Sequence, residues 1–232
     1  MSSVPIPASR PSFFITLVEM TDASRRELEL VPKVHAMMHH GLTLREYKAF
    51  LHDLYHIVWH FCPVMAAAAA RCDERFRDVR FELYERIQEE KGHEAWVLED
   101  IEAMGGDVSR VKSEPPSAPV QAMIGFNYFG AERVHPCSVL GMLYMLEVVS
   151  SVYGGRVADS IARALGRGVD AGGFKFLSSH ACMDQDHMAK LNALVKTIAD
   201  PQAQEAIVRS ARVNFFQFGR MFGEGGFVSA FG

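Results

Sequence analysis

The chain has 232 residues, 49% of them hydrophobic and 22% charged, with a net charge of −4. A chain of this length buries a large core without disulfide staples, and the lack of any basic block argues against nucleic acid as a partner. Its four cysteines, Cys62, Cys72, Cys137 and Cys182, show no C-x2-C spacing, which removes zinc knuckles and dithiol redox motifs.

Residues 1–12 read as a flexible Pro/Ser arm, and residues 13–232 as one helical domain. The N-terminus lacks the basic-then-apolar order of a secretory signal, so a reduced, cytoplasmic setting is expected. The first helix is predicted from Ala23 to His40, with Gly41 as its stop. Thr43 and Glu46 form a capping box for the second, which carries Tyr47 to His60 and meets Pro63, where it should kink or end. The alanine run Ala66–Ala70 continues helically. The longest apolar run, Val58 to Ala70, is broken by His60 and Pro63 and is too short to span a bilayer, so no membrane partner is expected. A third helix is predicted from Asp73 to Met104, then a loop over Asp107–Pro119, then a fourth helix from Val120 to Ala131. Pro136 suits the first turn of a fifth, continuing past Gly154-Gly155 to Leu165. A sixth spans Phe174 to Ile198, and Pro201 opens a seventh that ends near Phe222. The period of three and four holds throughout with no period-2 strand, so the fold class is all-α: seven helices in a bundle.

Three polar motifs interrupt this apolar pattern. In His180-Ala-Cys-Met-Asp184-Gln-Asp-His187, helical geometry puts Asp184 about 40° to one side of His180 and His187 about 20° to the other. Two imidazoles and a carboxylate on one face suit iron or manganese better than a thiolate-seeking metal. A hydrated surface patch is the plain alternative. Glu90 and His93 have the Glu-x-x-His spacing used by carboxylate-bridged di-iron bundles, with Glu89 as a geometric competitor. Gly92 between them is costly inside a helix and implies close approach or a local distortion. Glu147 is the only charged residue between Arg133 and Arg156. A carboxylate on so apolar a helix needs a partner, either a metal or a salt bridge. The ladder His52, His56 and His60 also shares a face and could supply or replace a ligand.

With these motifs on three helices, the sequence resembles the haem-oxygenase-like di-iron oxidase family of the haem oxygenase/TenA-like fold. The resemblance covers most of the chain. The family carries a Glu and His on its third core helix, a Glu on the fifth and His-x3-Asp-x2-His on the sixth. Glu90, His93, Glu147, His180, Asp184 and His187 fall in that order. The Glu-x2-His spacing looks most like the members that decarboxylate fatty acids, and Leu143–Ser151 with Gly154-Gly155 also resembles haem oxygenase itself. The resemblance implies two Fe(II), the second held less firmly, and O2 as co-substrate. It also implies a small carboxylate-bearing substrate of fatty-acid or amino-acid type, undergoing desaturation, C–C cleavage or N-oxygenation. Glu90, His93 and His180 would lead one iron and Asp184 and His187 the other, with Glu147 shared and catalytic. Phe61, Met65, Tyr144 and Phe176 are the candidate substrate-binding residues, Tyr144 because it precedes Glu147 by three. A homodimer is expected.

Other readings of the same sequence remain open. A metal-independent enzyme like TenA thiaminases or pyrroloquinoline-quinone synthase could use Cys137 as nucleophile. A haem enzyme could use His35, His39 or His40 as axial ligand. A non-catalytic binding protein could use the aromatic C-terminus (Phe215, Phe216, Phe218, Phe222, Phe227, Phe231) as a lid or dimer seam.

Overall fold

The computed structural model describes residues 11–223 and Gly226, with the backbone alone at positions 181, 182, 184 and 185. The arm expected at 1–12 falls almost wholly outside the described residues, as do Phe227 and Phe231. Among the described residues the fold is all helical, with twelve α-helices and no strand. They are α1 (Phe13–Met20), α2 (Asp22–Leu30), α3 (Pro32–His40), α4 (Leu44–Arg71), α5 (Arg77–Glu90) and α6 (Glu94–Ala103). The rest are α7 (Val108–Ser113), α8 (Ala118–Phe129), α9 (Ser138–Val149), α10 (Gly155–Ala164), α11 (Lys175–Val195) and α12 (Pro201–Met221).

The count exceeds seven because several expected helices are broken by backbone chemistry. The segment Ala23–His40 divides at Val31, where Pro32 lacks the N–H that continuation needs and instead opens α3. The segment Asp73–Met104 divides at Gly92, whose φ of 90° lies in the left-handed region that glycine tolerates. A Cβ there would meet nothing, so the residue serves distortion and not close approach. Helix α1, absent from the predicted elements, buries Phe13 and Leu17. Helix α7 forms inside the expected loop because Asp107 accepts hydrogen bonds from the backbone N–H groups of Ser109 and Arg110.

Elsewhere the chain keeps going where a break was expected. Thr43 and Glu46 form the capping box at the start of α4, which then runs unbroken through Pro63 to Arg71. The fifth helix continues past Gly154-Gly155 as expected: helices α9 and α10 form one rod joined by a π-turn over Ser150–Gly154. This rod, Ser138–Ala164, is long and apolar enough by composition to cross a membrane, but 61% of its most apolar stretch is buried inside the bundle. Its α9 half packs on α12 and α11, and the π-turn packs on α11.

The closest approach in that core is at Gly141. A Cβ there would sit 2.2 Å from the Ile207 carbonyl oxygen and 2.7 Å from the Ala211 backbone nitrogen of α12. Backbone cannot move aside as a flexible side chain can, so Gly141→Ala should cost about 3 kcal/mol of unfolding free energy. Gly125, mid-way along α8, is the matched control, since a Cβ there would have nothing within 4 Å. There Gly125→Ala should stabilise by about 0.5–1 kcal/mol through helix propensity. Urea unfolding of the two variants checks this pair, and equal effects would contradict the assigned packing.

Candidate metal centre

The centre is assembled by what starts and stops three helices. The Gly92 turn puts Glu90 at the last residue of α5 and His93 at the N-cap of α6. Asp100, further along α6 and 1% exposed, accepts hydrogen bonds from the backbone N–H groups of Lys175 and Phe176, both at 2.8 Å. It therefore caps α11 in the manner of a side chain at a helix N-terminus, where a negative charge is also favoured by the helix dipole. The Tyr47 hydroxyl donates to the Gly173 carbonyl at 2.7 Å and holds the turn just before. Together these bonds set where His180, one turn into α11, meets α5 and α6.

Glu90, His93 and His180 are all buried, and one potential ligand atom from each lies within 4.8 Å of the others. The His93 Nδ1 is 2.9 Å from Glu90 Oε2, and the His180 Nε2 is 3.4 Å from the same oxygen. The His180 Nδ1 lies 3.1 Å from the Phe176 carbonyl oxygen, which can only accept. That contact makes Nδ1 a donor and leaves Nε2 as the nitrogen facing Glu90, the one that would turn its lone pair to a metal, as metal-binding histidines are usually oriented. Phe176 stacks on His180 and Trp96 on His93, each with ring centroids 4.0 Å apart. His187 adds Nδ1 at 3.5 Å from Glu90 Oε1 and Nε2 at 3.4 Å from Glu89 Oε2. Two or three imidazoles about a buried carboxylate fit iron or manganese.

An apolar cavity adjoins this cluster. Glu90, His180 and His187 line it, as do Glu147 and Arg86, and its remaining wall is largely aliphatic and aromatic, including Leu54, Ile57, Phe61, Leu146, Phe176 and Phe218. Arg86, 1% exposed, places Nη1 2.7 Å from Oε1 of Glu147, itself 4% exposed. Its Nη2 donates to the His187 carbonyl at 3.3 Å. Glu147 thus has the salt-bridge partner that was one of its two expected fates, on the wall of the same cavity as the Glu–His cluster. Its carbonyl accepts from the Ser151 hydroxyl at 2.6 Å, inside the π-turn. Such turns are frequent at functional sites because the extra residue re-aims the side chains around them.

Other expected residues are placed as follows. Phe61 and Phe176 line the cavity. Met65 and Tyr144 are corrections: both are core residues and neither lines it. Tyr144 is about 60° round the helix from Glu147. Its hydroxyl lies 3.2 Å from that of Thr21, and its ring packs edge-on against Phe14 and Phe215. Asp184 lies on α11, but its side chain is outside the described residues. The histidine ladder faces elsewhere: His52 Nε2 is 3.1 Å from the Pro115 carbonyl oxygen and His60 Nδ1 is 3.1 Å from the Tyr128 hydroxyl. Burial and the neighbouring His52 push His56 down to about 4. Cys137 is fully buried away from the cavity, and burial pushes its thiol far up, the opposite of a nucleophile. His35, His39 and His40 are exposed and do not line the cavity. Phe215, Phe218 and Phe222 are core residues, whereas Phe216 is exposed. Arg86 and Trp96 were missed; the available signals were their positions four before Glu90 and three after His93.

Burial alone would raise the Glu90 carboxyl, but hydrogen bonds and charge from His180 and His93 outweigh it and hold the group down at about 2. A depressed folded-state value gives stability that is complete above the unfolded value of 4.5 and lost as pH falls toward about 2. Glu90→Gln should therefore cost about 2–3 kcal/mol at pH 6 in metal-free protein, and the gap from wild type should close between pH 5 and 2. Urea unfolding across that range is the check; a gap independent of pH would refute the charge assignment.

The helical arrangement is shared with several solved structures. A heme oxygenase-like domain of unknown function from Shewanella denitrificans is 20% identical, with 92% of this chain and 91% of that one covered, at a TM-score of 0.80. A TenA homolog from Pseudomonas syringae is 14% identical, with 94% of each covered and a TM-score of 0.76. Heme oxygenase from Leptospira interrogans is 16% identical, with 92% and 100% covered and a TM-score of 0.71. At these identities the likeness establishes the haem oxygenase/TenA-like fold alone. No curated protein matches the chain by sequence. Residues 48–215, well over half the chain and spanning every proposed ligand, match the family described as iron-containing redox enzymes, and the chain belongs to that family.

Proposed function

We propose that the chain is a non-haem di-iron oxidase that uses O2 to oxidise a small carboxylate-bearing substrate. The observation that carries this reading is the buried Glu90–His93–His180 cluster beside an apolar cavity also lined by Glu147 and His187. Glu90, His93 and His180 would hold one iron, and Asp184 and His187 the other, with Glu147 shared between them. Iron bound there supplies reductive activation of O2, the chemistry by which an unactivated C–H or C–C bond can be oxidised.

The protein's own contribution is charge, orientation and exclusion of water. Glu90 offers an anion already ionised at neutral pH. The Phe176 carbonyl fixes the His180 tautomer, and Trp96 and Phe176 hold the two imidazole planes. The aliphatic wall keeps water from the reacting bond and favours a substrate with a hydrocarbon chain, which supports a fatty-acid type over a zwitterionic amino acid. Desaturation and C–C cleavage of such an acid suit that wall better than N-oxygenation. The reading includes a homodimer in the cytoplasm acting on a small molecule.

Loss of a ligand should cost more than the 10–100-fold typical of groups behind the ligands. His180→Ala and Asp184→Ala should each lower iron-dependent O2 uptake by at least about a hundredfold while circular dichroism shows unchanged helix content. Wild-type uptake by both folded variants would end the proposal.

A further inference from the structure

Arg86 is a charged side chain that the proposed oxidation does not use. It is 1% exposed, lies on the cavity wall and comes from α5, four residues before Glu90. Guanidinium is not deprotonated under ordinary conditions, so its burial demands an anion. Among the described residues three carboxylates approach it: Glu147 at 2.7 Å, Glu82 at 3.7 Å and Glu89 at 3.9 Å. Glu89 is also drawn toward Lys190 and His187. Glu147, from the apolar α9, is the nearest and most deeply buried of the three.

The contact is short but not a well-aligned fork. Nη1 of Arg86 has no acceptor in hydrogen-bond geometry, nor does Nε, so attraction to Glu147 is mainly Coulombic. By contrast, Glu90, His93 and His180 already stand within one coordination sphere's reach of each other. The two halves of the centre therefore differ before any metal arrives. One is a preformed donor set. The other has its shared carboxylate facing a cation.

We propose that Arg86 is a built-in competitor for the second metal. It neutralises Glu147 in the metal-free protein, so that the first metal enters at Glu90, His93 and His180 and the second must displace the Arg86–Glu147 pair. The inference rests on the reading of Glu147 as a metal ligand. A dication brought to Glu147 meets repulsion from the guanidinium at short range in an apolar wall, where charge interactions are poorly screened. Replacing Arg86 with an uncharged side chain of similar length removes that repulsion. Keeping the charge with lysine retains it.

Anaerobic Co(II) titration, followed by visible absorption and by metal analysis after equilibrium dialysis, reads both steps without turnover. Wild type should take up one Co(II) tightly and a second at least about tenfold more weakly. Arg86→Met should tighten the second step by at least about tenfold and leave the first within about twofold, while Arg86→Lys should stay like wild type. Glu147→Gln should lose the second step and retain the first. A second step unchanged or weakened in Arg86→Met would overturn the inference. So would two equally tight steps in wild type, an outcome that stands even where Arg86→Met fails to fold. Absence of any Co(II) uptake by wild type would instead bring down the metal reading on which this rests.

Discussion

Charge confined beside hydrocarbon has to be answered by charge. The cavity wall is mostly aliphatic and aromatic, yet it carries Glu90, Glu147 and Arg86, all at 5% exposure or less. An isolated ion in such a place costs several kcal/mol even after relaxation. The site exists because each charge has a counterpart: Glu90 between two imidazoles, Glu147 against the guanidinium. Every other feature of the centre follows from the need to bring those counterparts from separate helices to one wall.

That convergence is produced by helix termini more than by helix faces. The turn at Gly92 ends α5 at Glu90 and starts α6 after His93, and across it the carboxylate and imidazole stay in contact, as an i, i+3 pair can. Asp100 then ties α6 to the start of α11, so His93 and His180 are linked through one pair of hydrogen bonds from the Lys175 and Phe176 backbone N–H groups to its carboxylate. The π-turn after Glu147 packs against α11 and completes the wall through Ser150 and Tyr153. Glycine, a buried aspartate and an extra residue in a helical turn are each locally unfavourable. The close α9–α12 packing at Gly141 lies in the same bundle.

How far this could be read without coordinates depends on the kind of signal. The all-helical fold was legible because the apolar period is three and four along nearly the whole chain. Glu90, His93, His180 and His187 were legible from spacing, and Glu147 from isolation on an apolar helix. Arg86 was not, since α5 is rich in charge and an arginine in such a helix reads as solvated surface. The choice between a salt bridge and coordination for Glu147 could not be made from its own helix, because its partner comes from another. Tyr144 shows the limit of face arguments: three residues from Glu147, it is rotated far enough to bond Thr21 and pack in the core. Pro63 shows the limit of breaker arguments, for α4 passes through it. Tertiary packing decides both, and no local pattern contains it.

On the proposed function, side chains on α5, α6, α9 and α11 together hold iron in the cavity wall. Anomalous diffraction at the iron absorption edge, from crystals loaded with Fe(II) without oxygen, tests it most directly. Iron should be bound directly by Glu90, His93 and His180, with a second, weaker peak beside Glu147 and His187. Iron confined to the molecular surface, with Glu90 still paired only with His93, His180 and His187, would rule this out.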